Sequence, residues 1–321
     1  MKYNKDWDIL RVVAGSRAYG TNLLTSDTDE KGVCIPPMRM YFSPFNKFEQ
    51  YECSEPDTVV YEIRKFFNLA ANCNPNIIEM LYVDESDILF VNNIGLKLLS
   101  NRHLFLSKIA ANSFTGYAKS QLTRLKNHKE WNENAPEKPD RKKLNLPENG
   151  KLISGDEVNK INSACGFKQQ TKPNDSKLSI VIEKYGNVVA DKWYQEQNYV
   201  FLLSLYHQYK NWKENRNSDR LQSEMNFGYD TKHAYHLIRL LRMGVEILEF
   251  GKVNVKRSDV NDLMDIRNGL WDYDRLIDEA NVLDEKCKNL AKTSNIIPEK
   301  PDKEKIEELC INLIDLNLSS I

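Results

Sequence analysis

The run Ile9-Leu10-Arg11-Val12-Val13-Ala14 is largely apolar and leads directly into Gly15-Ser16-Arg17-Ala18-Tyr19-Gly20. A buried strand that ends in a tight turn reads this way. A small residue at such a turn lets a phosphate approach the backbone closely, and the Ser16 hydroxyl and exposed N–H groups then bind it. Eleven residues after Ser16 comes Asp27-Thr28-Asp29, within Ser26-Asp27-Thr28-Asp29-Glu30-Lys31-Gly32-Val33. Residues i and i+2 of a strand point to one face, so both carboxylates are expected to share a site. Two like charges that close repel unless a cation lies between them, and hard oxygen ligands suit Mg²⁺ or Mn²⁺.

A phosphate-gripping Gly-Ser with a paired carboxylate downstream is the equipment of metal-assisted phosphoryl or nucleotidyl transfer. The pattern Gly15-Ser16…Asp27-Thr28-Asp29 resembles the signature of the DNA polymerase β-like nucleotidyltransferase superfamily. The fuller run, from Gly15 through Val33, resembles its bacterial and phage branch of predicted nucleotidyltransferases. Three further stretches carry the same resemblance: Arg64-Lys65-Phe66-Phe67 with Asn74-Pro75-Asn76, Gly116-Tyr117-Ala118 with Gln121, and the segment from Lys232 to Gly244. The likeness covers most of residues 8–130 and 229–290 and is weakest between them.

The resemblance implies an α/β (α+β) fold, with a small mixed-sheet nucleotidyltransferase core and a helical C-terminal domain. It implies that Asp27 and Asp29 hold a divalent metal, while Gly15 and Ser16 hold the phosphates of a nucleoside triphosphate. It also requires a third carboxylate on a neighbouring strand. Asp57 opens the β-branched run Asp57-Thr58-Val59-Val60-Tyr61 and is preferred, with Glu62 just past its end as the competitor. The acceptor of the nucleotidyl group is an RNA end such as tRNA, a protein side chain or a small molecule. The alternative is a catalytically inactive nucleotide- or RNA-binding regulator, antitoxin-like, that keeps the fold.

Other expected nucleotide contacts are Arg17 and Tyr19 in the first turn, with Tyr19 packed beneath that turn as the competing reading. A strong helix is expected from Asp230 or Thr231, either of which can cap it, to about Phe250, where Gly251 stops it. Ala234, Ile238, Leu241, Val245 and Leu248 form its apolar face. Lys232, His236, Arg239 and Arg242 recur every three or four residues as a basic stripe. That stripe reads either as a phosphate-binding face or as a surface of salt bridges.

Composition bounds the remainder. The 321 residues suffice for two domains, expected as a catalytic core over 1–107 and a mainly helical domain over 108–321. Residues 38–54 read as loop-like, residues 131–176 as an irregular insertion (lid or linker), and Ser179-Ile180-Val181-Ile182 as a short strand. A net charge of −1, from 45 basic and 46 acidic residues, gives no general argument for nucleic-acid binding. The six scattered cysteines contain no C-x-x-C pair and fit reduced thiols. The opening Met1–Asp8 lacks an apolar signal segment and no run is long enough to cross a bilayer, so a cytoplasmic protein with no membrane partner is expected.

Overall fold

The computed structural model describes residues 3–45 and 47–318; Met1 and Lys2 of the opening run lie outside the described residues. The architecture is mixed α/β, with a five-stranded sheet near the N-terminus and helices through the rest of the chain. Strand β1 (Asp8–Ala14) passes into a short helix α1 (Gly15–Tyr19) and returns as β2 (Asp29–Cys34). Pro36-Pro37 follows, and residues 38–54 then depart from the loop expectation: α2 (Met38–Phe42) and β3 (Gln50–Ser54) form there. β3 is an edge strand whose residues alternate polar and apolar, with Tyr51 and Cys53 half-buried on one face and Glu52 and Ser54 exposed on the other. Strand β4 (Asp57–Glu62) completes a hairpin with β3, and β5 (Ile88–Val91) forms the other edge.

The strand order is β3-β4-β2-β1-β5. All pairs are antiparallel except β2–β4, which run parallel and so begin at the same end of the sheet. Helices α3 (Ile63–Ala71), α4 (Pro75–Leu81) and α5 (Asn93–Ser100) alternate with the later strands. The long α6 (Ile109–Glu133) follows. Phe114, Ala118 and Leu125 are buried along it, whereas Tyr117 is exposed.

The chain separates into two compact units, but not at residue 107. One unit comprises residues 1–126 and 223–321, the other residues 127–222. The reason lies in the core. Buried side chains of the sheet (Leu10, Val12, Val33) belong to one continuous cluster with those of α11 (Thr231–Phe250), α12 (Val260–Arg267), α13 (Tyr273–Thr293) and α14 (Lys303–Leu318). Burying one contiguous apolar surface is what makes a domain, so these C-terminal helices belong to the same unit as the sheet. A smaller aromatic cluster of Trp7, Cys34 and Val60, with Tyr3, Phe48 and Tyr51 against it, covers the other sheet face.

The second unit has its own core of Val158, Ile161, Val181, Ala190 and Trp193. It contains α7 (Gly155–Ala164), α8 (Asp175–Tyr185) and α9 (Asn187–Glu214), and the division returns within α10 (Ser218–Phe227). The expected strand at 179–182 is instead part of α8. Asn174 caps this helix by accepting from the Lys177 N–H at 3.0 Å, and Leu178, Val181 and Ile182 then fall on one helical face against the core. Of the irregular insertion expected over 131–176, residues 134–154 are irregular, but residues 155–164 form α7, where Ser154 and Glu157 make a capping box, and the irregular part is tied to α9. The Arg141 guanidinium grips Glu196 through both nitrogens, at 2.8 and 3.1 Å, and the Leu152 N–H donates to the same carboxylate at 2.7 Å.

Candidate active site

The turn after β1 needs its glycine twice over. Gly15 has φ of +64°, and a Cβ there would land on the Asp29 carboxylate. Short α1 is closed by Gly20 in the left-handed conformation, and the Thr21 N–H donates back to the Ser16 carbonyl at 2.9 Å. Among the described residues the half-buried Ser16 hydroxyl has no hydrogen-bond partner. The antiparallel register pairs Ala14 with Asp29. Gly15 and Ser16 therefore sit directly beside the second aspartate of the motif.

Asp27 and Asp29 do not lie on one strand as expected. Asp29 is the first residue of β2, and Asp27 belongs to the extended run that leads into it. Arg17 fixes that run: its Nε donates to the Asp27 carbonyl at 3.1 Å and its Nη2 to the Ser26 carbonyl at 2.7 Å. Its guanidinium thus shapes the loop that carries Asp27. Asp57 opens β4, and the parallel register Glu30–Thr58 sets Asp57 beside Asp29 at the same end of the sheet. The three carboxylates feel one another. Burial pushes the Asp29 carboxyl above its ordinary range, the charges of Asp57 and Asp27 push it further, and Lys31 and Lys232 oppose the shift. Asp27 and Asp57 are exposed, whereas Asp29 is half-buried.

Glu62 is elsewhere. It pairs in register with Cys34 at the far end of the strands, about 16 Å from Asp57 at roughly 3.3 Å per residue. Its buried carboxylate caps α3, accepting from the Lys65 N–H at 3.3 Å and from Arg64 Nε at 3.0 Å. Glu62 is a helix cap.

The basic stripe on α11 is largely internal. Asp230 caps the helix, accepting from the His233 N–H at 3.0 Å, and Gly251 ends it at φ of +64°. Fourteen of its 20 residues are buried, so a cation on most faces must find a carboxylate inside the protein. Arg239 does so, donating to buried Glu79 while its guanidinium lies 3.7 Å from the centre of the Tyr19 ring. The Tyr19 hydroxyl donates to the other Glu79 oxygen at 2.6 Å. Tyr19 and Arg239, both expected to touch nucleotide, instead lock α1, α4 and α11 together in the interior. Arg242 is surrounded by Asp259 at 2.7 Å, Asp262 at 2.6 Å and Glu279 at 3.4 Å. His236 is held neutral, its imidazole pushed well below its usual range by burial and by the positive charges of Arg239 and Lys232. Lys232 alone of this stripe is exposed, and its charge reaches Asp29.

Two residues of the site were not singled out from the sequence. Lys31 faces the same side of the sheet as Asp29, and its ammonium donates to Asn76 at 3.1 Å. Glu79 anchors both Tyr19 and Arg239. Its signal was a lone carboxylate within Ile77-Ile78-Glu79-Met80-Leu81, since a charge in so apolar a helix needs a buried partner.

The donor set fits a divalent cation. Asp27, Asp29 and Asp57 offer hard oxygens of the type that suits such an ion, and Asp29, its carboxyl raised by burial and then by the charges of Asp57 and Asp27, has among the described residues no hydrogen-bond or ion-pair partner that would occupy its oxygens. Residues 6–144 match the model of the RlaP family, described as an RNA repair pathway DNA polymerase β family. Comparison with curated proteins and with solved structures gave no match. The sheet with its Gly-Ser turn and strand-end aspartates lies within the matched segment, and through residues 6–144 the chain is similar to that family, which is consistent with a polymerase β-like nucleotidyltransferase.

Proposed function

We propose that this protein transfers a nucleoside monophosphate from a nucleoside triphosphate to the end of an RNA, releasing pyrophosphate. The observation that supports it best is the placing of Asp29 against Gly15 and beside Asp57, with no direct salt bridge to Asp27, Asp29 or Asp57 among the described residues. The RNA acceptor rests on the description of the matching family. A bound Mg²⁺ or Mn²⁺ would offset the phosphate charge and lower the pKa of the attacking hydroxyl.

The chain's own groups divide the remaining work. The backbone at Gly15 and the Ser16 hydroxyl hold the terminal phosphates, and the exposed Lys232 ammonium adds a positive charge on the same side. Asp27 and Asp29 supply metal ligands. Asp57 supplies the third and takes the proton from the acceptor hydroxyl at its carboxylate oxygen. Arg17, Tyr19, Glu79 and Arg239 hold these parts in place. With its cysteines reduced and unpaired, the protein is assigned to the cytoplasm. Among the described residues no helix is long and apolar enough to cross a membrane.

The test is incubation with each α-³²P-labelled triphosphate, Mg²⁺ or Mn²⁺, and total RNA, with protein extract as a second acceptor pool. Label should enter RNA with wild-type protein and be lost with Asp27→Asn/Asp29→Asn, whose melting curve should remain cooperative. Label in protein alone would replace the RNA acceptor. Nucleotide binding with no transfer under any condition would instead favour an inactive nucleotide-binding regulator.

A further inference from the structure

Lys31 combines features that the transfer reaction does not by itself require. It lies two residues after Asp29, on the same face of the central strand, in register with Val12 on β1 and Val59 on β4. Its ammonium is tied to Asn76 at 3.1 Å, in the first turn of α4. With Gly15, Tyr19, Asn76 and Glu79 it lines a cavity of about 10 Å³ beneath the phosphate turn, enough for about one water molecule. Glu79, which already has Arg239 as its ion-pair partner, is one carboxylate that favours the Lys31 charge.

The remaining carboxylates within its field are Asp29 and Asp57. Among the described residues Lys31 makes no direct salt bridge with either, so their oxygens are not covered. A cation held near a carboxylate cluster, yet off its ligand atoms, offsets repulsion without blocking a metal.

We propose that Lys31 is a positioning residue, the resident cation of the carboxylate face, which holds Asp29 and Asp57 together before metal arrives and sets how tightly metal binds. This rests on the metal-dependent reading given above. Two opposite effects follow from removing the charge. The metal-free protein loses stability, because Asp29 and Asp57 then repel with less to offset them. The metal site gains affinity, because the incoming cation no longer meets a positive neighbour.

The experiment is calorimetric titration of the full chain with Mn²⁺, without nucleotide, together with melting curves in EDTA and in Mn²⁺. Lys31→Met should bind Mn²⁺ about 3- to 10-fold more tightly than wild type. It should also melt several degrees lower in EDTA and recover most of that loss in Mn²⁺. Lys31→Arg should match wild type in both measurements. Lys31→Gln, which keeps a donor for Asn76 but not the charge, should follow Lys31→Met and serves in its place where that variant does not fold. Unchanged Mn²⁺ affinity in Lys31→Gln, or equal melting losses with and without Mn²⁺, would overturn the proposal. A wild-type protein that binds no Mn²⁺, or binding that Asp29→Asn leaves intact, would instead count against the metal site itself.

Discussion

Asp29 and Glu30 are adjacent on β2 and meet opposite fates on the two faces of the sheet. Glu30 points to the side lined by Arg11, which it meets at 3.0 Å, and Arg11 also holds Asp8 at 2.6 Å. Charges on that face are closed into a structural network. Asp29, one residue earlier, faces Gly15, Asp57 and Lys31, and its carboxyl is destabilised by burial and by like charge. Unrelieved repulsion is what a site for a cationic ligand looks like before the ligand binds, whereas satisfied pairs are what a fold uses for itself. The same contrast separates Lys232, left exposed on α11, from Arg239, which is spent on buried Glu79, and Arg242, which is spent on the partly exposed Asp259, Asp262 and Glu279.

The largest effect that would break this comparison concerns the two rival third carboxylates. Asp57→Asn should lower transfer by about 10²- to 10⁴-fold while the melting temperature holds or rises. Glu62→Gln should retain most activity but cost about 1–2 kcal/mol of stability through the weakened cap and the lost charge opposite Arg64. Equal losses of activity in the two would erase the distinction drawn between the ends of β4.

Next come the cations of α11. Arg239→Met leaves Glu79 as an uncompensated buried carboxylate and should cost about 3–5 kcal/mol in chemical denaturation. Lys232→Ala should leave stability within about 0.5 kcal/mol, and raise the KM for triphosphate about 10-fold. A stable Arg239→Met protein with weakened nucleotide binding would return that residue to the phosphate-binding face.

The smallest effect is the pH dependence of the metal-free fold. The folded Asp29 carboxyl lies above its ordinary value of 3.8. Its contribution to stability is therefore fully present only below that value, and is lost as pH rises through the folded value. In EDTA, Asp29→Asn should melt a few degrees above wild type at pH 7, with the gap closing toward pH 4. Glu30→Gln should show no such gain, because it breaks the pair with Arg11.

The parts of the site legible in the sequence are those whose reason is local. Gly15 is demanded by its own backbone and by the residue that β2 brings against it, and the short return from Ser16 to Asp29 leaves few other arrangements. The cap and stop of α11 at Asp230 and Gly251 are local in the same sense, and the structure shows both. What failed depended on partners far along the chain. Tyr19 and Arg239 have the residue types of nucleotide contacts, and only Glu79, 60 residues from one and 160 from the other, turns both inward. The division into compact units differs from the expected one for a like reason: helical spacing marked α11 as amphipathic, but not that its apolar face would join the core of the sheet.

By itself, then, the sequence determined a strand, a glycine turn and a carboxylate pair, because backbone sterics and side-chain alternation act within a few residues. It also determined the class of chemistry those groups support. Only the tertiary structure decided which charges are available to it. Availability depends on whether folding brings an opposite charge into contact: it does so for Glu30, Glu62, Arg239 and Arg242, and leaves Asp27, Asp29, Asp57 and Lys232 without a direct salt bridge among the described residues.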